Sequence, residues 1–102
     1  MAVLTMFKIP GDPDELLARK QSELDPVFEP KARENGAIEH LVVKTGDGIM
    51  IVNVWETLEG SEKTAQDVGP VAREKGLPQP TDWSSFEVAQ RVVVSDAGIG
   101  PG

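Results

Sequence analysis

The stretch AIEHLVVKTGDGIMIVNVWE, residues 37–56, consists of two apolar runs joined by Thr45-Gly46-Asp47-Gly48. Gly-Asp and Asp-Gly pairs supply the positive φ values that tight hairpin turns require. With Gly46-Asp47 as the central pair, Thr45 faces Gly48, Val42 lies opposite Ile51, His40 opposite Asn53, and Ile38 opposite Trp55. Side chains alternate with period two along a strand, so these pairs share one side of a sheet. The other side carries Leu41, Val43, Met50, Val52 and Val54. We read the wholly apolar side as the core, and the side that mixes a histidine, an amide and an indole as a pocket. A slip of one residue would part His40 from Asn53 and Trp55.

Outward from the hairpin, Ala2 to Ile9 is β-rich and stops at the breaker pair Pro10-Gly11, which predicts a first strand. Asp12 then serves as N-cap, Pro13 takes the first helical position and Glu15 closes a capping box. The apolar stripe runs through Leu16, Leu17 and Lys20 to Leu24, Val27 and Phe28. Pro26 and Pro30 interrupt it, and Asp25-Pro26 can cap a new segment, so the first helix is expected to be bent or broken before it ends near Asn35-Gly36. Beyond the hairpin a second helix is expected from Gly60-Ser61 to Lys75-Gly76, kinked or broken at Gly69-Pro70. Leu77 to Asp82 reads as a proline-rich loop carrying Trp83 against the second helix. Ser85 to Val94 alternates like a fourth strand, and Asp96 to Gly102 reads as a disordered tail.

The order βαββαβ is that of the ferredoxin-like α+β plan, an antiparallel four-stranded sheet with two helices on one face. At 102 residues the chain reads as one domain, residues 1–95, with a tail. With the helices on the Leu41 side, Ile38, Val42, Ile51 and Trp55 would be left uncovered. An apolar surface of that kind marks an interface, so we expect a homodimer whose two sheets enclose a shared interior.

Composition removes several functions. Seventeen acidic against ten basic residues give a formal net charge of −7, a field that repels phosphate backbones, so no nucleic-acid partner is expected. The chain has no cysteine and one histidine, which excludes thiolate metal sites, a cysteine nucleophile and a multi-histidine site. The turn at Asp47 offers too few oxygens for calcium, and no glycine loop has the strand-to-helix context of a nucleotide site. No apolar run reaches the roughly 20 residues of a membrane span, and MAVLTMFKIP lacks the charged start of a signal peptide. A cytoplasmic protein without a membrane partner is expected.

The run IMIVNVWETLEGSEK (residues 49–63), a short helix, the segment GPVAREKGLPQP (residues 69–80) and a final strand together resemble the antibiotic-biosynthesis-monooxygenase-like group of the dimeric α/β-barrel superfamily. The resemblance covers most of residues 2 to 94. It implies a dimeric barrel, and Trp55 followed by Glu56 matches the tryptophan and acidic residue that close strand three in that group. Members include cofactor-independent oxygenases of polycyclic phenols, haem degraders and isomerases. The haem degraders use an asparagine on strand one and a histidine on the second helix. Here strand one offers Thr5 and the second helix has no histidine, which disfavours haem. The phenol oxygenases commonly use a tyrosine, and this chain has none.

The candidate site is therefore His40, Asn53 and Trp55, with Ile38, Val42, Ile51 and Thr5 as binding walls. His40 would deprotonate a phenol or acidic carbon, Asn53 would hydrogen-bond the oxyanion, and Trp55 would stack on a flat substrate. Oxygen would add to the carbanion with no metal or cofactor. The competing reading has His40 and Asn53 bonding each other across the strands and tying down an interface. The expected function is a cofactor-independent monooxygenase-like enzyme for a small aromatic or polyketide-like molecule; the alternative is a non-catalytic binder or accessory dimer. Arg91 would meet an anionic substrate or point to solvent.

Overall fold

In the computed structural model, which describes residues 1–95, the hairpin forms about the expected turn. Strand β2, Ala37–Thr45, pairs antiparallel with β3, Gly48–Trp55, and Thr45 faces Gly48, Val42 faces Ile51 and His40 faces Asn53. The register departs at one end. Ala37 pairs with Trp55 and Glu39 with Val54, so Ile38 is the extra residue of a bulge and is 39% exposed instead of opposing Trp55.

Strand β1, Val3–Pro10, lies on the far side of β3, and β4, Thr81–Glu87, completes the sheet in the order β2-β3-β1-β4. All neighbours are antiparallel. The fold is ferredoxin-like: a four-stranded antiparallel sheet with helical layers on one face. The fourth strand begins and ends earlier than its alternation suggests. A strand needs a partner ladder, and β1 ends at Val3, which Glu87 already faces. Val88 makes one last bond to Ala2, and the chain then leaves the sheet. The expected tail from Asp96 lies outside the described residues.

The first helix divides into α1, Pro13–Arg19, a π-helical turn at Lys20–Leu24, and α2, Asp25–Glu34. Asp12 caps α1 by accepting from the Glu15 backbone N–H at 2.9 Å. The π turn stands just before Pro26, whose ring and missing N–H disturb the preceding turn. It also corrects a phase error. Leu16, Lys20, Leu24, Phe28 and Ala32 recur every four residues, and in an unbroken α-helix each step would drift by about 40°. The wider π turn takes part of that drift back and keeps the stripe toward the sheet. Asn35 and Gly36, at φ +87°, end the helix as expected.

The second helix, α3, Leu58–Glu74, starts two residues before the expected Gly60, because Thr57 caps it by accepting from the Gly60 N–H at 3.1 Å. It runs through Pro70 without a break; Gln66 and Pro70 are both exposed, so the carbonyl that loses its partner is within reach of water. Gly60 is required by closeness: a Cβ there would lie 2.0 Å from the Asn35 carbonyl oxygen. Asn35 Nδ2 donates to Thr64 Oγ1 at 3.0 Å, which ties the end of α2 to the first turns of α3.

The helices cover the face opposite to the one expected. Ile49, Ile51, Asn53 and Trp55 are 1–4% exposed beneath them, and Leu16, Phe7, Ile9 and Val42 pack with Ile49 and Ile51. Leu41 and Val43 are 53% and 40% exposed on the other face, together with Phe86 at 57%. The His40–Asn53–Trp55 side is thus the core side within one chain, not the wall of an interior shared by two sheets. Alternation separates the two faces but does not say which one the helices take. Ile49, Ile51 and Trp55 outweigh the polar pair, which offsets part of its burial through one mutual hydrogen bond.

Candidate functional site

Between the helices and this face lies a cavity of about 130 Å³. Its floor is the sheet, with Thr5, Phe7 and Ile9 from β1 and Ile49, Ile51, Asn53 and Trp55 from β3. Leu16, Lys20, Leu24 and Phe28 form one wall, and Ser61, Thr64 and Val68 of α3 form the other. Leu77 to Pro80 and Trp83 close the remaining side. The lining is overwhelmingly apolar, with a few polar groups in fixed places, which is the general make-up of small-molecule sites.

Asn53 stands at the centre because β3 is the inner strand between β1 and β2, opposite Thr5 on one side and His40 on the other. His40 Nδ1 lies 2.5 Å from Asn53 Oδ1. An amide oxygen only accepts, so Nδ1 carries the proton and donates, and the Asn53 Nδ2 group is left free of this bond. The neutral ring then keeps a lone pair on Nε2, which is buried and has no partner among the described residues. Burial holds the His40 pKa below its usual value; the bond to Asn53 opposes this, as do Asp25 and Glu29, while Lys20 adds to the lowering. The Phe28 ring rests against the imidazole with centroids 4.7 Å apart.

Thr5 and Trp55 form a second polar pair. Trp55 Nε1 donates to Thr5 Oγ1 at 3.0 Å, both residues being almost wholly buried. Lys20, 6% exposed, donates to Asp25 and stands 5.5 Å from the Phe28 ring centre.

Of the residues singled out from the sequence, Asn53, Trp55, Ile51 and Thr5 come together on the cavity floor. His40 stands behind Asn53 and outside the wall, Val42 packs into the core beside it, and Ile38 is displaced by the bulge. Trp83 belongs to β4 rather than to a loop against α3; its ring stacks on Phe7 with centroids 4.1 Å apart. Arg91 is paired with Glu39 at 2.5 Å. Lys20 and Phe28, placed in the helical stripe, and Thr64 were not singled out as site residues from the sequence. The available signal was a lysine at a stripe position where Leu16, Leu24 and Phe28 call for an apolar side chain.

At the sequence level no family model matches this chain and no curated protein matches it. Solved structures do. A dimeric ferredoxin-like protein from an uncultured marine organism superposes with a TM-score of 0.64 at 18% identity, covering 91% of this chain and 99% of that one. A candidate antibiotic biosynthesis monooxygenase from Chloroflexus aurantiacus gives 0.61 at 14% identity, covering 93% and 100%. SnoaB, a cofactor-independent oxygenase from Streptomyces nogalater, gives 0.57 at 18% identity, covering 89% and 94%. The chain therefore has the fold of the antibiotic-biosynthesis-monooxygenase-like ferredoxin proteins.

Proposed function

We propose that this chain is a cytoplasmic, homodimeric protein of the monooxygenase-like group that binds a small aromatic molecule in the cavity over Asn53 and oxidises it without a cofactor. The observation that carries the reading is the apolar cavity with one fixed amide, Asn53, on its floor. Because Oδ1 is taken by His40, the Asn53 N–H₂ is the group left to donate to a phenol or enolate oxygen. His40 is then a positioning residue that holds the amide, in place of the direct base expected from the sequence. Trp55 and Phe7 provide the faces against which a ring packs. The substrate gives up its O–H proton to water, and O₂ adds to the ring carbon to form a peroxide anion. That anion takes a proton back from water, and the hydroperoxide loses water, the hydrogen of the attacked carbon leaving with it, to leave a carbonyl. One oxygen atom enters the product and the other leaves as water, so the substrate supplies all the electrons.

The cavity's size sets the substrate's. An apolar cavity of about 150 Å³ admits benzene, and 130 Å³ is of that order, the size of one ring and not of several. A polycyclic phenol requires the Leu77–Pro80 side to open. The exposed Leu41, Val43 and Phe86 support the dimer, by pairing of the faces turned away from the helices. Light scattering of the wild type and of Leu41→Glu tests it: a wild-type monomer at micromolar concentration removes the dimer.

A non-catalytic binder is the second reading, favoured by the placement of the chain's single histidine outside the cavity wall. An oxygen electrode with a panel of one- and two-ring phenols separates the two. Uptake that falls in Asn53→Ala supports the enzyme. Saturable binding with no uptake from any phenol leaves the binder.

A further inference from the structure

Lys20 is the one ionisable side chain in the cavity wall among the described residues; the rest of the lining is apolar or neutral. A lysine is rarely buried without a reason, since desolvating an ammonium is costly unless it is paired. Asp25 pairs it, but Asp25 is not part of the wall. An ammonium has three N–H donors, and the bond to Asp25 uses one. The π turn that begins at Lys20 brings the residue round to the sheet side, and turns of this kind are frequent at functional sites. Asp25, His40 and Glu29 are the other charged or titratable groups around this end of the cavity.

From this placement we infer that Lys20 selects for acidic ligands: the cavity takes a single aromatic ring bearing one anionic oxygen, a phenolate or an enolate, which the Lys20 ammonium shares with the Asn53 N–H₂ of the same lining. The inference rests on the proposed cavity function and adds the charge of the ligand to it. A ring without an acidic oxygen offers the ammonium nothing beyond the two partners it already has, the Asp25 carboxylate and the Phe28 ring. An ionised ring meets a charge-assisted hydrogen bond there, with Asp25 bracing the lysine from behind. No carboxylate lines the cavity to repel the anion. The same contact lowers the free energy of the ionised ligand relative to its neutral form, so the protein would hold a phenol as phenolate at a pH where it is mostly neutral in water.

The test uses 4-nitrophenol, whose phenolate has its own visible absorbance, and nitrobenzene, a neutral ring of similar size. Titrated into the wild-type protein at a pH below the phenol's own pKa, 4-nitrophenol should bind at least about tenfold more tightly than nitrobenzene, a difference equivalent to about 1.4 kcal/mol. The bound species should absorb as the phenolate. In Lys20→Gln, which removes the charge and keeps a neutral donor on a shorter stem, the preference and the phenolate absorbance should both vanish while nitrobenzene binding persists. Equal affinity for the two probes in the wild type, or a bound phenol that stays neutral, overturns the role of Lys20 and leaves the cavity standing. Failure of both probes to bind at millimolar concentration overturns the cavity function and this inference with it. The wild-type comparison does not depend on any variant folding.

Discussion

Thr5 and Trp55 meet across β1 and β3 with the indole N–H donating to the hydroxyl at 3.0 Å, at 4% and 2% exposure. Thr5→Val exchanges the hydroxyl for a methyl group of nearly the same size, so packing is kept and the acceptor is lost. The indole N–H is then buried against carbon. A stranded buried donor costs about 1–3 kcal/mol, more than the roughly 1 kcal/mol net value of an ordinary hydrogen bond. With a urea m-value of about 1–3 kcal/mol/M for a domain of this size, the unfolding midpoint should fall by about 1 M at unchanged m. The assay is urea unfolding followed by tryptophan emission at one fixed protein concentration, because self-association raises apparent stability. Thr5→Ser, which keeps the acceptor, should lose much less. Trp55→Phe removes the donor, so adding Thr5→Val to it should cost little and the cycle should show a coupling of at least about 1 kcal/mol. Equal cost of Thr5→Val in both backgrounds would refute the claim that this bond is what the hydroxyl supplies.

Further outcomes are expected. Gly60→Ala drives a Cβ into the Asn35 carbonyl oxygen, 2.0 Å away, and should destabilise by about 1–3 kcal/mol or more in thermal unfolding. His40 has a folded pKa below its usual value of 6.5, so the unfolded chain binds the proton first as pH falls. Stability should therefore drop from pH 6.5 down to the folded value and then level off, by about 1.4 kcal/mol for each unit of lowering; urea midpoints across this range should lose that slope in His40→Asn. Trp83→Leu gives up the stack on Phe7 and should cost about 0.5–1.5 kcal/mol, read by chemical unfolding followed through circular dichroism.

The hairpin register was legible because Gly46-Asp47 leaves one economical turn, and counting back from it sets His40 against Asn53. The ends of the first helix were legible for a similar reason: Asp12 and Gly36 act through local backbone chemistry. What local pattern does not carry is the choice between two faces that are both largely apolar. Leu41, Val43, Met50 and Val52 look like core by composition, yet the helices follow Ile49, Ile51 and Trp55. The Ile38 bulge and the short β4 depend on where neighbouring chain ends, which no window of sequence records. The cavity was half visible: Asn53, Trp55 and Thr5 were marked as polar or aromatic exceptions on strands. Lys20 was passed over because its long stem fits a helical stripe as readily as it reaches solvent.

Ile51, Asn53 and Trp55 turn toward the helices while Met50, Val52 and Val54 turn away, so two surfaces are spelled in alternate letters of one eight-residue strand. A lineage can revise the cavity through the odd positions and the outer surface through the even ones, without either change rewriting the other. Gain or loss of a single residue within β3 is different in kind: it transposes the two spellings, delivering the amide to the outside and the valines to the cavity. Substitution is the open route by which this protein acquires a new cavity lining or a new outer face. The length of β3 is the quantity that selection must hold constant.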